Sequence, residues 1–204
     1  MERQTNNDLS GRVAGHVVQA DTVHGDVVLH GPTPAQIEDS RALRDERLTS
    51  YAKFLEIAES VRSGNWEMLT ASNRWVEVSE KRASLPRWGS WAMKRHYRNS
   101  AVRDLKTLLT LKRDLPERIV RLVELEDTIR VVGPMNVCYS AAMVTQSAAM
   151  ILDSCGFDVM KMIEDKEAFR SDWEIACERH GLLFESAVLR FRDAIRCVRE
   201  APLL

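Results

Sequence analysis

The sequence predicts an all-α protein, a helical bundle of five to seven helices preceded by a short tandem repeat that is β-prone or disordered in the monomer. The composition is 45% hydrophobic and 29% charged, which is enough apolar material for a core. Apolar residues recur at three- and four-residue spacing over most of the chain, but residues 8–31 alternate with a period of two. We therefore expect the repeat segment in residues 1–31, a linker in 32–34 and the helical domain in 35–204.

Charge and cysteine usage restrict the class of protein. The 29 Lys and Arg residues against 30 Asp and Glu residues give a net charge of -1, so no global field attracts nucleic acid or anionic lipid. The first nine residues lack the apolar stretch of an export signal, and no cysteine pair is spaced as CxxC. These features predict reduced thiols and a cytoplasmic protein, with membrane association after activation left open. The cysteines are Cys138, Cys155, Cys177 and Cys197.

The segment from Asp8 to Gly31 reads DLSGRVAGHVVQADTVHGDVVLHG and repeats the pattern Val-x-Gly-x-Val-Val after ten residues. Its β-branched residues favour strands, and its glycines allow another backbone to come close. Two short strands are marginal alone in water, but stacked copies would pair every backbone group and join identical valine faces as a dry zipper. The residues expected to form this self-assembly interface are Val13, Gly15, Val17, Val18, Gln19, Val23, Gly25, Val27 and Val28. A disordered tail, a docked hairpin and a small closed β-solenoid are the alternatives.

Within this segment, Gly15-His16-Val17-Val18-Gln19-Ala20 and the following Val23-His24-Gly25-Asp26-Val27 resemble the bacterial amyloid signalling motifs related to the RIP homotypic interaction motif. These motifs are found especially in actinobacterial proteins. The resemblance covers residues 8–31 only. It implies homotypic assembly into amyloid, templated by an NLR-type ATPase receptor or an effector that carries a matching motif.

The helical region begins after Gly31-Pro32, with Thr33 as the expected N-cap and Pro34 at the first helical position. An apolar stripe then predicts a first helix that stops at Gly64, and a second helix is expected from about Trp66 to Ala83. A third helix is predicted from near Ser90, and Pro116 is expected to begin a fourth. The stripe of the first helix consists of Leu48, Tyr51, Leu55, Ala58 and Val61.

Gly133-Pro134 predicts another break, followed by an uncharged stretch from Met135 to Leu152. Its length would reach across a bilayer, but five polar residues within it favour a buried central helix over membrane insertion. The last helix carries the clearest apolar seam, with spacings typical of a bundle. The seam consists of Trp173, Cys177, His180, Phe184, Val188, Phe191, Ile195 and Val198.

No pattern in the helical region indicates catalysis. Phosphate-binding loops, the GxSxG elbow and the HExxH helix are not found in the sequence. Cys177 and His180 lie on the apolar seam without two further ligands at zinc spacing, so a buried thiol and a core histidine are the better interpretation. We therefore expect no enzyme activity, no metal and no cofactor.

One local charge feature is a candidate contact. Between Lys81 and Arg103 there are seven basic residues and no acid, and Trp88, Trp91 and Tyr97 lie among them. Such a stretch suits an anionic membrane or single-stranded nucleic acid, with the latter partner less favoured. The alternative is a connector whose tryptophans fold back onto the bundle and whose charges are paired. The residues predicted for anion or membrane contact are Arg87, Trp88, Trp91, Lys94, Arg95 and Arg98.

The function that these observations predict is that of a non-enzymatic signalling protein. Its N-terminal repeat would self-assemble, templated by a receptor with a similar motif, and the helical domain would act as the output or adaptor. The alternative is a helical regulatory module that binds nucleic acid or anionic membrane through residues 81–103.

Overall fold

The computed structural model describes residues 33–86, 91–156 and 166–200. Within these ranges the chain forms four α-helices: α1 (Pro34–Ala83), α2 (Trp91–Val132), α3 (Met135–Cys155) and α4 (Lys166–Glu200). The chain divides into two units, residues 1–45 with 201–204 and residues 46–200. The repeat segment falls in the first unit and nearly all of the helical structure in the second.

The all-α class is confirmed, but the prediction of five to seven helices is wrong, because the described residues form four long ones. Gly64 does not end a helix. It lies inside α1, where a Cβ atom would be 2.8 Å from Cδ2 of Leu115. The glycine therefore lets α1 and α2 approach closely, and this packing offsets its low helix propensity.

Pro116 does not begin a helix either, because α2 continues through it. A proline inside a helix removes one backbone hydrogen bond. On either side of it, Leu115 and Ile119 are buried in the core, and their burial holds the helix together across the proline. The expected start of this helix near Ser90 agrees with the observed start at Trp91 to within one residue.

The start of α1 is confirmed as predicted. The Thr33 backbone N–H donates to Oε1 of Gln36 at 2.8 Å, and the Gln36 backbone N–H donates to Oγ1 of Thr33 at 3.3 Å. This reciprocal pair is a capping box, which satisfies two backbone donors at the helix N-terminus. The break at Gly133-Pro134 is also confirmed, since α2 ends at Val132 and α3 begins at Met135.

Residues 46–200 form an up-down-up-down four-helix bundle. Helix α1 is antiparallel to α2, because Arg74 pairs with Asp104 at 3.4 Å while Arg118 donates to the Ser60 carbonyl at 2.9 Å. It is also antiparallel to α4, through the ion pair of Glu59 with Arg192 and the hydrogen bond from Asn65 to the Cys177 carbonyl. Helix α3 packs against α2 and α4, and so lies diagonally opposite α1.

The core is built from one face of each helix. The seam predicted for α4 is confirmed, with His180 half-buried, Ile195 and Val198 partly buried and the other members buried. Helix α3 buries one side, at residues that step by four and three, and exposes Met135 and Tyr139. In the described part of the chain, no helix combines the length and the apolar character needed to cross a bilayer. The buried side of α3 consists of Val137, Ala141, Val144, Ala148 and Ile151.

Candidate functional site

The residues predicted for self-assembly, Val13 to Val28, lie outside the described residues, as do Arg87 and Trp88 of the basic stretch. The structure therefore locates only the part of the basic stretch that belongs to the end of α1 and the start of α2. This part contains four of the predicted contact residues, Trp91, Lys94, Arg95 and Arg98.

These four residues lie on one face of α2, which we call the basic-aromatic face. Positions three, four and seven residues apart share a side of a helix. Trp91 is 73% exposed, Arg95 and Arg98 are exposed and Lys94 is half-buried. The buried Asp104 and Leu108 lie on a different side of α2. That side also carries the half-buried Tyr97, seven residues before Asp104. The basic-aromatic face therefore points to solvent.

The indole of Trp91 does not fold back onto the bundle. The guanidinium carbon of Arg95 lies 5.5 Å from the centre of the Trp91 ring, which is cation–π geometry. His96 and Tyr97 make an edge contact with ring centres 5.7 Å apart. An exposed indole with a guanidinium across it offers both an apolar surface and a positive charge to a partner.

At the neighbouring end of α1, the basic residues are partly neutralised. Lys81 donates a hydrogen bond to Glu77, and this bond, with the charge of Glu77, raises the pKa of Lys81 above its usual value. Arg74 pairs with the buried Asp104. The alternative interpretation, a connector with paired charges, therefore fits Lys81 but not the exposed residues at the start of α2.

Three polar features inside the bundle were not found from the sequence. The buried Glu126 accepts a hydrogen bond from Thr145 Oγ1, and Arg130 Nη2 lies 2.6 Å from its second oxygen as an ion pair. Asn65 is buried between α1 and α4, and its Oδ1 has no partner. The Tyr51 hydroxyl is buried and also has no hydrogen-bond partner. Glu126 and Asn65 look, in the sequence, like ordinary helical polar residues, and Tyr51 belongs to the predicted apolar stripe of the first helix, so no local signal reveals these polar contacts.

Burial raises the pKa of the Tyr51 phenol, with Arg47 acting in the opposite direction and Cys138 adding to the increase. The Cys138 thiol donates to the carbonyls of Ile129 and Gly133, both at 3.4 Å. These contacts join the α2–α3 turn to α1 at one end of the bundle.

Within residues 33–86, 91–156 and 166–200, no group of three or more His, Cys, Asp or Glu side chains is placed so that it could hold a metal ion. Cys177 is fully buried, as the seam interpretation predicted. Comparison with protein-family models, with curated proteins and with solved structures gives no match to this chain.

Proposed function

We propose that this chain is a non-enzymatic signalling protein that assembles with itself through residues 8–31, on a template supplied by a receptor with a similar motif. The helical bundle is the output or adaptor domain. The observation that carries the proposal is the ten-residue repeat of Val-x-Gly-x-Val-Val with Val-Val-Gln-Ala in its first unit. Stacking on copies of the same segment would bury its apolar faces and give every backbone N–H and C=O group a hydrogen-bond partner.

The organisation of the helical region supports the proposal. Helix α1 has its own capping box at Thr33 and Gln36, so the helix starts without help from the preceding residues. The core of the bundle is formed by residues from Tyr51 to Phe191, all in the second unit. A bundle with its own core can be carried by a fibre and brought to high local concentration on it.

Fibre formation by the full chain tests the proposal. We expect the purified protein to form fibres with a cross-β reflection at about 4.7–4.8 Å. Replacing Val17→Asp, Val18→Asp and Gln19→Lys together would place charges in the zipper and abolish the fibres. The matched control is Val120→Asp, Val123→Asp and Gln146→Lys, which makes the same three changes at exposed positions of the bundle.

A full chain that stays soluble and gives no cross-β reflection at high concentration, with or without seeds of the same protein, contradicts the proposal. So does assembly that survives the triple substitution in residues 17–19, above all when it is lost in the control variant. In that case the bundle, and not the repeat, drives the assembly.

The exposed Trp91 with Arg95 favours a second candidate function, binding of an anionic membrane through the basic-aromatic face. An indole suits the interfacial region of a bilayer, and the arginines are attracted to anionic lipid. We expect the protein to co-sediment with vesicles that contain phosphatidylserine, less so at high salt, and not with neutral vesicles.

Arg95→Glu with Arg98→Glu removes this binding, and Arg113→Glu with Arg121→Glu, at exposed sites outside the stretch on the same helix, leaves it unchanged. Equal binding by both variants contradicts this second function. Salt-sensitive binding of a single-stranded oligonucleotide without vesicle binding would instead indicate a nucleic-acid module.

A further inference from the structure

Helix α4 has a second apolar face, opposite to the seam that lies in the core. Ile175, Leu182 and Leu189 are separated by seven residues each, and they are 63%, 55% and 57% exposed. Leu183 beside them is also exposed. Four large apolar side chains in solvent on one helix are more than scattered surface residues require, and such patches mark interaction sites.

The polar residues of this face are arranged around its middle. An α-helix turns by about 100° per residue. The nine residues of this face therefore all point within about 60° of the direction of Ser186 and form one continuous strip. All of them are exposed. We call this strip the α4 outer face, and it consists of Ile175, Arg179, Leu182, Leu183, Ser186, Leu189, Arg190, Asp193 and Cys197.

The α4 outer face is complementary to itself when two copies run antiparallel with Ser186 at the centre. Arg179 and Asp193 lie seven residues on either side of Ser186, so each arginine meets the aspartate of the other copy. Leu182 and Leu189 lie on the same edge of the strip, four residues before and three residues after Ser186, so each Leu182 meets the Leu189 of the other copy. A small side chain at the centre allows the two helices to approach closely.

The other charges agree with this pairing. Arg190 would lie across from Leu183 of the second copy, on the other edge of the strip, where its aliphatic stem covers the leucine while the guanidinium stays in water. Asp193 already pairs with Arg196 at 3.2 Å, but both side chains are exposed and such pairs are weak. A parallel pairing would instead place Arg179 against Arg179 and Asp193 against Asp193, which is unfavourable.

We propose that the α4 outer face binds the same face of a second copy of this chain, as a two-fold symmetric antiparallel pair centred on Ser186. The pairing uses no residue of the repeat segment. It would cross-link neighbouring bundles independently of any assembly through residues 8–31.

The first test is the oligomeric state of the full chain carrying Val17→Asp, Val18→Asp and Gln19→Lys, so that assembly through the repeat does not interfere. Sedimentation should show a concentration-dependent monomer–dimer equilibrium. Leu182→Asp should raise the dissociation constant at least about 100-fold, because a symmetric interface loses the buried leucine twice. Leu109→Asp, a similarly exposed leucine on α2, should leave it unchanged.

The second test reverses the charges. Arg179→Asp and Asp193→Arg should each weaken the dimer about 10-fold, because each creates repulsion at two symmetric positions. The double variant should restore the dissociation constant of the wild-type interface to within about three-fold, since each symmetric ion pair forms again with its two charges swapped. A double variant weaker than either single variant would overturn the antiparallel register.

The third test locates the symmetry axis. In Ser186→Cys, oxidation should cross-link the dimer, because the two new thiols face each other across the axis. The native Cys197 is the internal control, since it lies eleven residues, about 16 Å, along the helix from Ser186 and cannot reach its counterpart. Cross-linking through Cys197 alone, or a protein that remains monomeric at every concentration, overturns the proposal.

Discussion

The amide nitrogen Nδ2 of Asn65 in α1 lies 2.8 Å from the place where a Cβ atom of residue 181 in α4 would stand. Gly181 therefore leaves the space that the buried Asn65 occupies. The same amide donates to the Cys177 carbonyl at 3.4 Å, one turn earlier on α4. Because Asn65 sits in the space left by Gly181, it sets the axial position of α1 relative to α4. Buried asparagines have the same register role in other helical assemblies.

This relationship predicts that Gly181→Ala and Asn65→Ala are energetically coupled. In the wild-type background the new methyl displaces Asn65, and this cost cancels or exceeds the gain in helix propensity of about 1 kcal/mol. In the Asn65→Ala background the methyl has room, so the same substitution should stabilise the protein by about 1 kcal/mol. Urea unfolding of the four proteins of the cycle measures the coupling, and strictly additive effects would contradict the packing.

A second prediction concerns the α1–α2 contact. A methyl group at residue 64 would meet Cδ2 of the fully buried Leu115 at 2.8 Å, so the leucine would have to shift within the core. Gly64→Ala should therefore destabilise the bundle by about 1–3 kcal/mol despite its better helix propensity. Ser63→Ala, at the adjacent exposed position, is the control and should be neutral or slightly stabilising. A Gly64→Ala protein as stable as this control would show that α1 and α2 lie further apart.

A third prediction concerns the buried carboxylate. Thr145→Val keeps the shape of the side chain but removes the hydroxyl that donates to Glu126, and should cost about 1–3 kcal/mol of unfolding free energy. Thr145→Ser retains the donor and should recover part of the loss. Thr128→Val is the control, because that exposed hydroxyl donates only to the Glu124 backbone carbonyl, and its loss should change the free energy by less than about 0.5 kcal/mol. Equal effects of the two valine substitutions would contradict a role for Glu126.

A fourth prediction concerns Tyr51, which is 1% exposed and whose hydroxyl has no partner. Tyr51→Phe removes a buried unsatisfied group, so at neutral pH it should stabilise the protein by about 1 kcal/mol. Tyr139→Phe is the control, since Tyr139 is 70% exposed and its hydroxyl can reach water. Thermal unfolding measures both, and a destabilised Tyr51→Phe protein would mean that the hydroxyl has a partner in solution.

The same residue predicts a pH dependence. Burial holds the pKa of folded Tyr51 above the ordinary value of 10.0, so above that pH the unfolded chain ionises this phenol more readily than the folded one. The contribution of the neutral Tyr51 phenol to the unfolding free energy is fully present below pH 10. It is lost as the pH rises towards the pKa of Tyr51 in the folded protein. The unfolding free energy of Tyr51→Phe should fall less steeply between pH 9 and 11 than that of the wild type, measured by urea unfolding. Parallel curves would contradict the raised pKa.

Several elements could be predicted from the sequence because their signals are local. Thr33 and Gln36 are three residues apart, and their capping box forms wherever a helix starts. The break at Gly133-Pro134 depends on the backbone limits of those two residues. The period of the α4 seam determines which side of that helix is apolar. The repeat in residues 8–31, and the self-assembly that we propose for it, depend on the sequence alone.

Contacts between residues far apart in the chain were decided only by the tertiary structure. Gly64 and Pro116 look like helix boundaries, but their neighbours in the core hold α1 and α2 continuous across them. Asn65 and Thr145 become structural groups because Gly181 and Glu126, on other helices, are placed against them. The outer leucines of α4 lie off the predicted seam, and their exposure is known only because three other helices pack on the opposite side. The sequence by itself determined the helical class of the described residues, since that is a matter of local backbone preference and apolar period. Helix number, buried polar contacts and exposed faces required the tertiary structure, because they depend on which atoms of distant segments meet.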